Sequence, residues 1–303
     1  MRKKTKKLFR WTPFDTVVMM LATLVCVITL YPMIYVFSCS ISDPKSVLAG
    51  EVVLYPVGFS LDAYNMVVNN PQFWRSMLNS VFYVVAECIL MFLTTVLVAY
   101  PLTRPNLKFR KVLTYYLLIP MYFSGGMIPA YLVICNLGLY NSPWSLVLPG
   151  CYGIWNIILC RTFMASLPQE LIDSALIDGS DQFRAFLKIV IPLSKPVMAV
   201  IMIYTIVGTW NAWFGASIYT TNRDIQPVQL YMRHVLAATS TSMQSQMLEQ
   251  LPEELRLAYQ KKALAANQIK YALIVLTTLP IIAVYPMFQK HFTKGIMLGS
   301  LKG

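Results

Sequence analysis

The chain is 303 residues long, 57% hydrophobic, 13% charged and +12 in formal net charge. Soluble domains carry about a quarter charged residues, so the apolar excess argues against one large water-soluble core and for several membrane crossings of about 20 residues each. The positive charge does not suit nucleic acid, because the basic residues fall between apolar runs rather than on one polar face.

In chain order, a basic arm over 1–15 comes first, with Arg2, Lys3, Lys4, Lys6, Lys7 and Arg10. The apolar run at 17–37 is longer than the core of a typical signal peptide. It reads as an uncleaved first helix, although Val36-Phe37-Ser38-Cys39 has a faint lipoprotein-like pattern. Six spans are expected, near 16–38, 78–102, 112–134, 143–163, 197–220 and 269–288, which makes the fold class all-α integral membrane. Basic residues alternate between the connections. Arg104, Lys108, Arg110 and Lys111 follow the second span, Arg184, Lys188 and Lys195 the fourth, and Lys290, Lys294 and Lys302 the last. Segment 39–77 has only Lys45 and Arg75, and 135–142 has no basic residue. This pattern puts both termini inside. The long segment 221–268 then falls outside, and its own basic residues count less because long loops weigh little in orientation. Within it, 229–238 and 251–266 have helix-compatible apolar spacing, suiting either a cap over the outer mouth or a docking surface.

The six cysteines lack metal or disulfide spacing, and Cys26, Cys88 and Cys160 fall within apolar runs, as small buried residues would. His234 and His291 lie far apart and belong to no metal motif.

The connection 164–196 between the fourth and fifth spans has its own local order. Pro168 suits a first helical turn, and Glu170 and Asp173 suit the positive end of the helix dipole. Gly179 is the natural stop, since a left-handed cap costs glycine little. Ser180 or Asp181 can cap a second helix, and Pro192 and Pro196 break into the next span. Ala175 is small enough to let another surface approach.

Asp173-Ser174-Ala175, Asp178-Gly179 after two residues, nine residues more, then Ile189-Val190-Ile191-Pro192 resemble the coupling-loop signature of bacterial ABC importer permeases. In that signature Glu stands at 173, Ala at 174 and Leu at 191. Phe123 to Pro129, Trp210-Asn211 and the tail from Lys294 resemble the carbohydrate-uptake branch, whose best-known member is the smaller permease of the maltose importer. The Phe-Ser-Gly-Gly run and the long outer segment are similar to a subgroup that takes up oligosaccharides from complex polysaccharides.

The resemblance implies a type I importer permease fold, with six transmembrane helices and a cytoplasmic coupling helix, in a bacterial cell membrane. It divides the chain into the arm 1–15, a permease domain 16–290 and a cytoplasmic tail 291–303. It implies a second permease subunit, two ATPase subunits, an external binding protein and an oligosaccharide substrate. Glu170, Asp173, Ala175, Asp178, Gly179, Ile189 and Pro192 would serve ATPase coupling, and the tail would reach between the ATPase subunits. ATP and magnesium would bind those subunits, because this chain has no phosphate-binding Gly-x-x-x-x-Gly-Lys-Ser/Thr run. No nucleophile elbow or zinc-protease motif is present either, so no enzyme activity is expected of it.

Sugars offer an apolar CH face and many hydroxyls, which aromatic rings and amides can meet. Trp155, Asn156, Trp210, Asn211 and Trp213 supply both within spans, as candidates for the substrate path or as interfacial anchors. Glu87 is an acid inside the second span, which is costly unless it faces protein or water. It joins the substrate-path candidates, with a structural hydrogen bond as its plainer role. Two alternatives stay open. One is an importer permease for another solute class. The other is a secondary transporter, which would need more intramembrane charge than Glu87 alone.

Overall fold

The computed structural model describes residues 12–240, 268–284 and 286–287. The basic arm up to residue 11, the expected surface helix at 251–266, His291 and the tail 291–303 lie outside the described residues. The described residues are mostly helical, and the one β interaction among them is an isolated bridge between Ser42 and Phe59. The chain divides into two compact units, Met1–Asn69 with Ala238–Val275, and Asn70–Ala237 with Leu276–Gly303.

The first unit is led by α1, Pro13–Ser40. Its start is set by Thr12, whose hydroxyl accepts from the Asp15 amide at 3.3 Å while Asp15 accepts from the Thr12 amide at 2.8 Å. This reciprocal pair satisfies two amide donors that lack helical partners, with Pro13 suited to the first turn. Only Ser38, Cys39 and Ser40, at the far end, are buried. There Ser38 Oγ donates to the Leu54 carbonyl at 2.7 Å and Ser40 Oγ meets Tyr64 Oη at 2.7 Å. These bonds fix the helix end against the segment carrying α2, Pro44–Leu48, and α3, Asp62–Val68. The rest of α1 is an exposed apolar cylinder with mean hydropathy 2.4 over its best window. A helix apolar all round and unburied suits lipid or another apolar helix. Cys26 is exposed on that cylinder, contrary to the expectation of burial, because none of the described residues buries this stretch of α1; Cys160 is buried and Cys88 half-buried.

The second unit is organised by α4, Pro71–Thr103, a 33-residue helix capped by Asn70, which accepts from the Gln72 amide at 2.9 Å. It is followed by α5, Arg110–Tyr122, α6, Met127–Asn136, α7, Trp144–Val147, and α8, Ile154–Ala165. Next come α9, Glu170–Ile177, α10, Gln182–Leu193, α11, Lys195–Asn211, and α12, Phe214–Tyr219. The helix α13, Val228–Ser240, belongs to this unit up to Ala237, and the helix α14, Gln268–Val284, from Leu276 onward. The core is built by Met91, Val96 and Ala99 of α4, Ile157, Cys160 and Met164 of α8, and Val197, Met198 and Ile201 of α11.

Three expected spans are interrupted. The third breaks at 123–126, where α5 and α6 meet at 113°. Gly126 takes a left-handed φ of 88°, which favours glycine, and Ser124 Oγ receives its amide at 3.2 Å. The fourth divides into α7 and α8, and Thr94 Oγ1 donates to the freed Cys151 carbonyl at 2.6 Å. The fifth breaks at Ala212 and Trp213, between α11 and α12. Non-helical backbone at membrane depth is tolerated only where protein or a cavity satisfies it. Hydropathy alone does not reveal such breaks, because the flanking residues stay apolar. Among the described residues, two helices are long and apolar enough to cross a membrane, α1 and α4, or up to four spans if each bent pair, α5–α6 and α10–α11, counts as one.

Candidate functional site: the 164–196 connection and the Glu87 cavity

α9, Glu170–Ile177, is a short helix with both ends defined. Gln169 opens α9, and its Nε2 donates to Asp173 Oδ1 at 3.3 Å. At the other end the Ser180 amide donates to the Ala175 carbonyl at 2.9 Å and the Gly179 amide to the Leu176 carbonyl at 3.1 Å. Gly179 has φ 82°. These two crossing bonds around a left-handed residue are a Schellman cap. Ala175, Asp178 and Gly179 thus belong to one local device, the end of α9. Of the two candidates for the next cap, Asp181 is the one used. It accepts from the Arg184 amide at 2.6 Å.

The second helix differs from expectation. It continues through a π-helical turn at Phe186–Val190 and stays helical over Ile191–Leu193, so Pro192 falls within α10 rather than ending it. Proline is tolerated there because the wide turn leaves amides out of the ordinary ladder. The direction changes at Ser194, where α10 and α11 meet at 71°, and Pro196 opens the first turn of α11. Ile189 is half-buried in the π turn and Pro192 is exposed.

Ile172 is only 2% exposed and packs with Met164, Ala185, Phe186 and Val190. Ile177 at the opposite end is 85% exposed, and Leu171 and Phe183 are exposed as well. Glu170, Asp173 and Asp178 are exposed and Ala175 is half-buried. The connection is therefore keyed into the helical core on one side and presents apolar and acidic groups on the other.

The contact between this helix and the end of α4 was not legible in the sequence. Arg104, just past the end of α4, lies 4.5 Å over the ring of Tyr100, and its Nη1 donates to Gln169 Oε1 at 3.5 Å. Tyr100 in turn packs on Phe186, with ring centroids 4.4 Å apart. A groove of about 790 Å³ opens between these residues, Asp173 and Gln182. Its elements are about 65 residues apart in sequence, so spacing along the chain carries no trace of it.

A second site lies midway along α4. One face of that helix carries Gln72, Arg75, Asn79, Tyr83 and Glu87. Gln72 Nε2 donates to the Arg223 carbonyl at 2.6 Å, Arg75 pairs with Asp224, Asn79 Nδ2 donates to the Asp224 carbonyl at 2.7 Å, and Tyr83 Oη donates to the Ile225 carbonyl at 2.5 Å. Ser80 Oγ accepts from the Val228 amide at 2.8 Å, at the start of α13. Below this clamp Glu87 lines a cavity of about 140 Å³ with Tyr83, Ser145, Pro149, Thr209 and Gly215. Its carboxylate lies directly against Gly150, so the break between α7 and α8 and the end of α11 meet at one half-buried acid.

The other path candidates separate. Trp210 is buried, and its Nε1 donates to the Thr277 carbonyl at 3.1 Å, tying α11 to α14. Trp155 is exposed, while Asn156 is half-buried and its Nδ2 donates to Met91 Sδ at 3.5 Å. Asn211 is exposed, with Nδ2 donating to the Val207 carbonyl at 2.9 Å. Trp213 is half-buried beneath the guanidinium of Arg233, with Cζ 3.4 Å from the ring centroid. Glu87 thus faces a small cavity and Trp210 packed interior, whereas Asn211 and Trp213 stand at the break between α11 and α12. Among the described residues no group of histidines, cysteines and carboxylates could hold a metal ion.

Comparison with known proteins places this geometry. The chain is 38% identical to protein LplC of Bacillus subtilis over 278 residues, covering 91% of this chain and 90% of LplC. It is 37% identical to the polygalacturonan/rhamnogalacturonan transport system permease protein YtcP of the same organism, covering 94% of this chain and 96% of YtcP. A chain in the crystal structure of a bacterial ABC transporter involved in the import of the acidic polysaccharide alginate superposes with a TM-score of 0.82 at 30% identity, over 94% of this chain and all of that one. Residues 12–298 match the family of binding-protein-dependent transport system inner membrane components, and this chain is a member of that family.

Proposed function

We propose that this chain is the transmembrane permease subunit of an ATP-driven importer that translocates an oligosaccharide delivered by an external binding protein. The observation that carries the reading is α9. A Schellman-capped helix, keyed into the core by Ile172 and exposing Leu171 and Ile177, can transmit a push from a partner into the helical bundle. A carbohydrate cargo is supported by YtcP and by the alginate transporter, whose names give polysaccharides.

In this reading the permease domain, 16–290, crosses the bilayer six times with both termini in the cytoplasm, and α5–α6, α7–α8 and α11–α12 are broken spans. A second permease completes the pathway, and two ATPase subunits dock beneath α9 and hold ATP and magnesium. Glu170, Asp173, Ala175, Asp178 and Gly179 form the docking helix, while Ile189 and Pro192 shape the turn that links it to α11. The tail 291–303 reaches the ATPases. ATP-driven closure of those subunits then biases two rigid-body states of the bundle, inward- and outward-facing. This chain binds no cofactor and catalyses no reaction.

The test is uptake of labelled oligogalacturonides into proteoliposomes holding both permeases and both ATPases, with the binding protein outside and ATP within. ATP-dependent accumulation is expected. Accumulation without ATPases or ATP, driven by an ion gradient, would instead establish a secondary transporter.

A further inference from the structure

The exposed surface of α11 has two chemistries. Ile201, Thr205 and Trp210 are buried, while Tyr204, Val207, Gly208 and Asn211 are exposed. The spacing of Tyr204, Gly208 and Asn211 by four and three residues puts them on one helical face. That face leads into the break at Ala212 and Trp213, where Arg233 of α13 stacks on the Trp213 indole. By contrast, the exposed surface of α1 is almost wholly apolar from Val17 to Ile28. A lipid-facing helix resembles α1; a tyrosine, a bare glycine backbone, an amide and a stacked cation suit a hydroxyl-rich ligand. A Cβ at Gly208 would meet no atom within 4 Å, so there is room over the backbone at that point.

Arg233 adds a charge requirement. The arginine of the outer clamp, Arg75, is neutralised by Asp224. Arg233 is exposed, and among the described residues no carboxylate pairs with it. Stacking uses the face of a guanidinium and leaves its N–H edge free, in the fork geometry that matches a carboxylate. We propose that Trp213 and Arg233, at the end of the Tyr204–Asn211 face, form a subsite for an acidic sugar, the indole meeting its ring, the guanidinium edge binding a uronate carboxylate, and Tyr204, about 10 Å back along the helix, meeting a neighbouring sugar of the chain. The proposal rests on the oligosaccharide-importer reading and narrows its cargo to uronate-bearing chains. Asn211, whose Nδ2 donates to the Val207 carbonyl, offers its Oδ1 to a hydroxyl beside the carboxylate.

The experiment uses the complete reconstituted importer, with trigalacturonate and its neutral methyl ester as probes at saturating loaded binding protein. The ratio of variant to wild-type uptake is read for each probe, so the binding protein's own preference cancels. Arg233→Gln is expected to lower trigalacturonate uptake about tenfold, the scale of a lost charge-assisted contact, and to leave the ester within about twofold. If that variant does not assemble, Arg233→Met, which keeps an unbranched stem over Trp213, is read in the same way. Equal loss for both probes overturns the subsite and marks this face as a contact with the second permease; no loss for either overturns it as well. In both cases wild-type uptake still supports the importer reading. If the wild type takes up neither probe, the cargo assignment itself fails, and the subsite with it.

Discussion

The carboxylate of Glu87 occupies the space that a side chain at position 150 would need: a Cβ on Gly150 would stand 2.6 Å from Glu87 Cδ. An acid inside a membrane span is therefore held by a bare stretch of backbone in the break between α7 and α8, with Thr209 of α11 lining the same cavity.

Gly150→Ala forces the end of the flexible Glu87 side chain to turn aside and is expected to cost about 1 kcal/mol, the low end for an extra group in a filled site. A thermal melt of the detergent-purified complex reads it. Glu87→Ser should restore much of the loss when combined with Gly150→Ala, because the two groups compete for one space. Strictly additive effects would show that they do not.

Gly179 tests the end of α9. At φ 82° a β-branched residue is strained by about 1–3 kcal/mol, whereas asparagine tolerates this region. Gly179→Val should insert normally yet lose co-purifying ATPase, and Gly179→Asn should keep most of it. Normal uptake by the valine variant would show that the cap is dispensable.

Ile172 and Ile177 lie on one short helix and should fail differently. Ile172→Ala removes a buried side chain and should cost about 2–5 kcal/mol of stability. Ile177→Asp touches no core and should leave the melt unchanged while abolishing ATPase co-purification. A shifted melt for Ile177→Asp would place that residue inside the packing.

Topology is open to a paired reporter test. A fusion after Gly303 should be active only as a cytoplasmic reporter, and an insertion near Ser245 only as an external one. The reverse pair would reject six crossings with both ends inside.

Much of the coupling connection was legible in sequence because its signals are local. A proline, two acids, a glycine and a capping aspartate act within one or two helical turns, and both Gly179 and Asp181 do what those signals require. The interruptions at 123–126, 149–153 and 212–213 were less legible. Their flanks remain apolar, and their stabilising partners, such as Thr94 for the Cys151 carbonyl, come from elsewhere in the chain. The same holds for the tryptophans. Trp210 and Trp213 are three residues apart and chemically alike, yet one is buried against α14 and the other lies under Arg233. Only the break between α11 and α12 separates their roles.

The most direct measurement of coupling is ATP hydrolysis by the reconstituted importer, with and without saccharide-loaded binding protein, for the wild type and for Gly179→Asn, which retains its ATPase subunits. Loaded binding protein should stimulate the wild type strongly, and Gly179→Asn, whose cap is kept, nearly as strongly at equal ATPase content. Equal hydrolysis by the wild type with and without the loaded binding protein would contradict a permease that couples an external ligand to ATP.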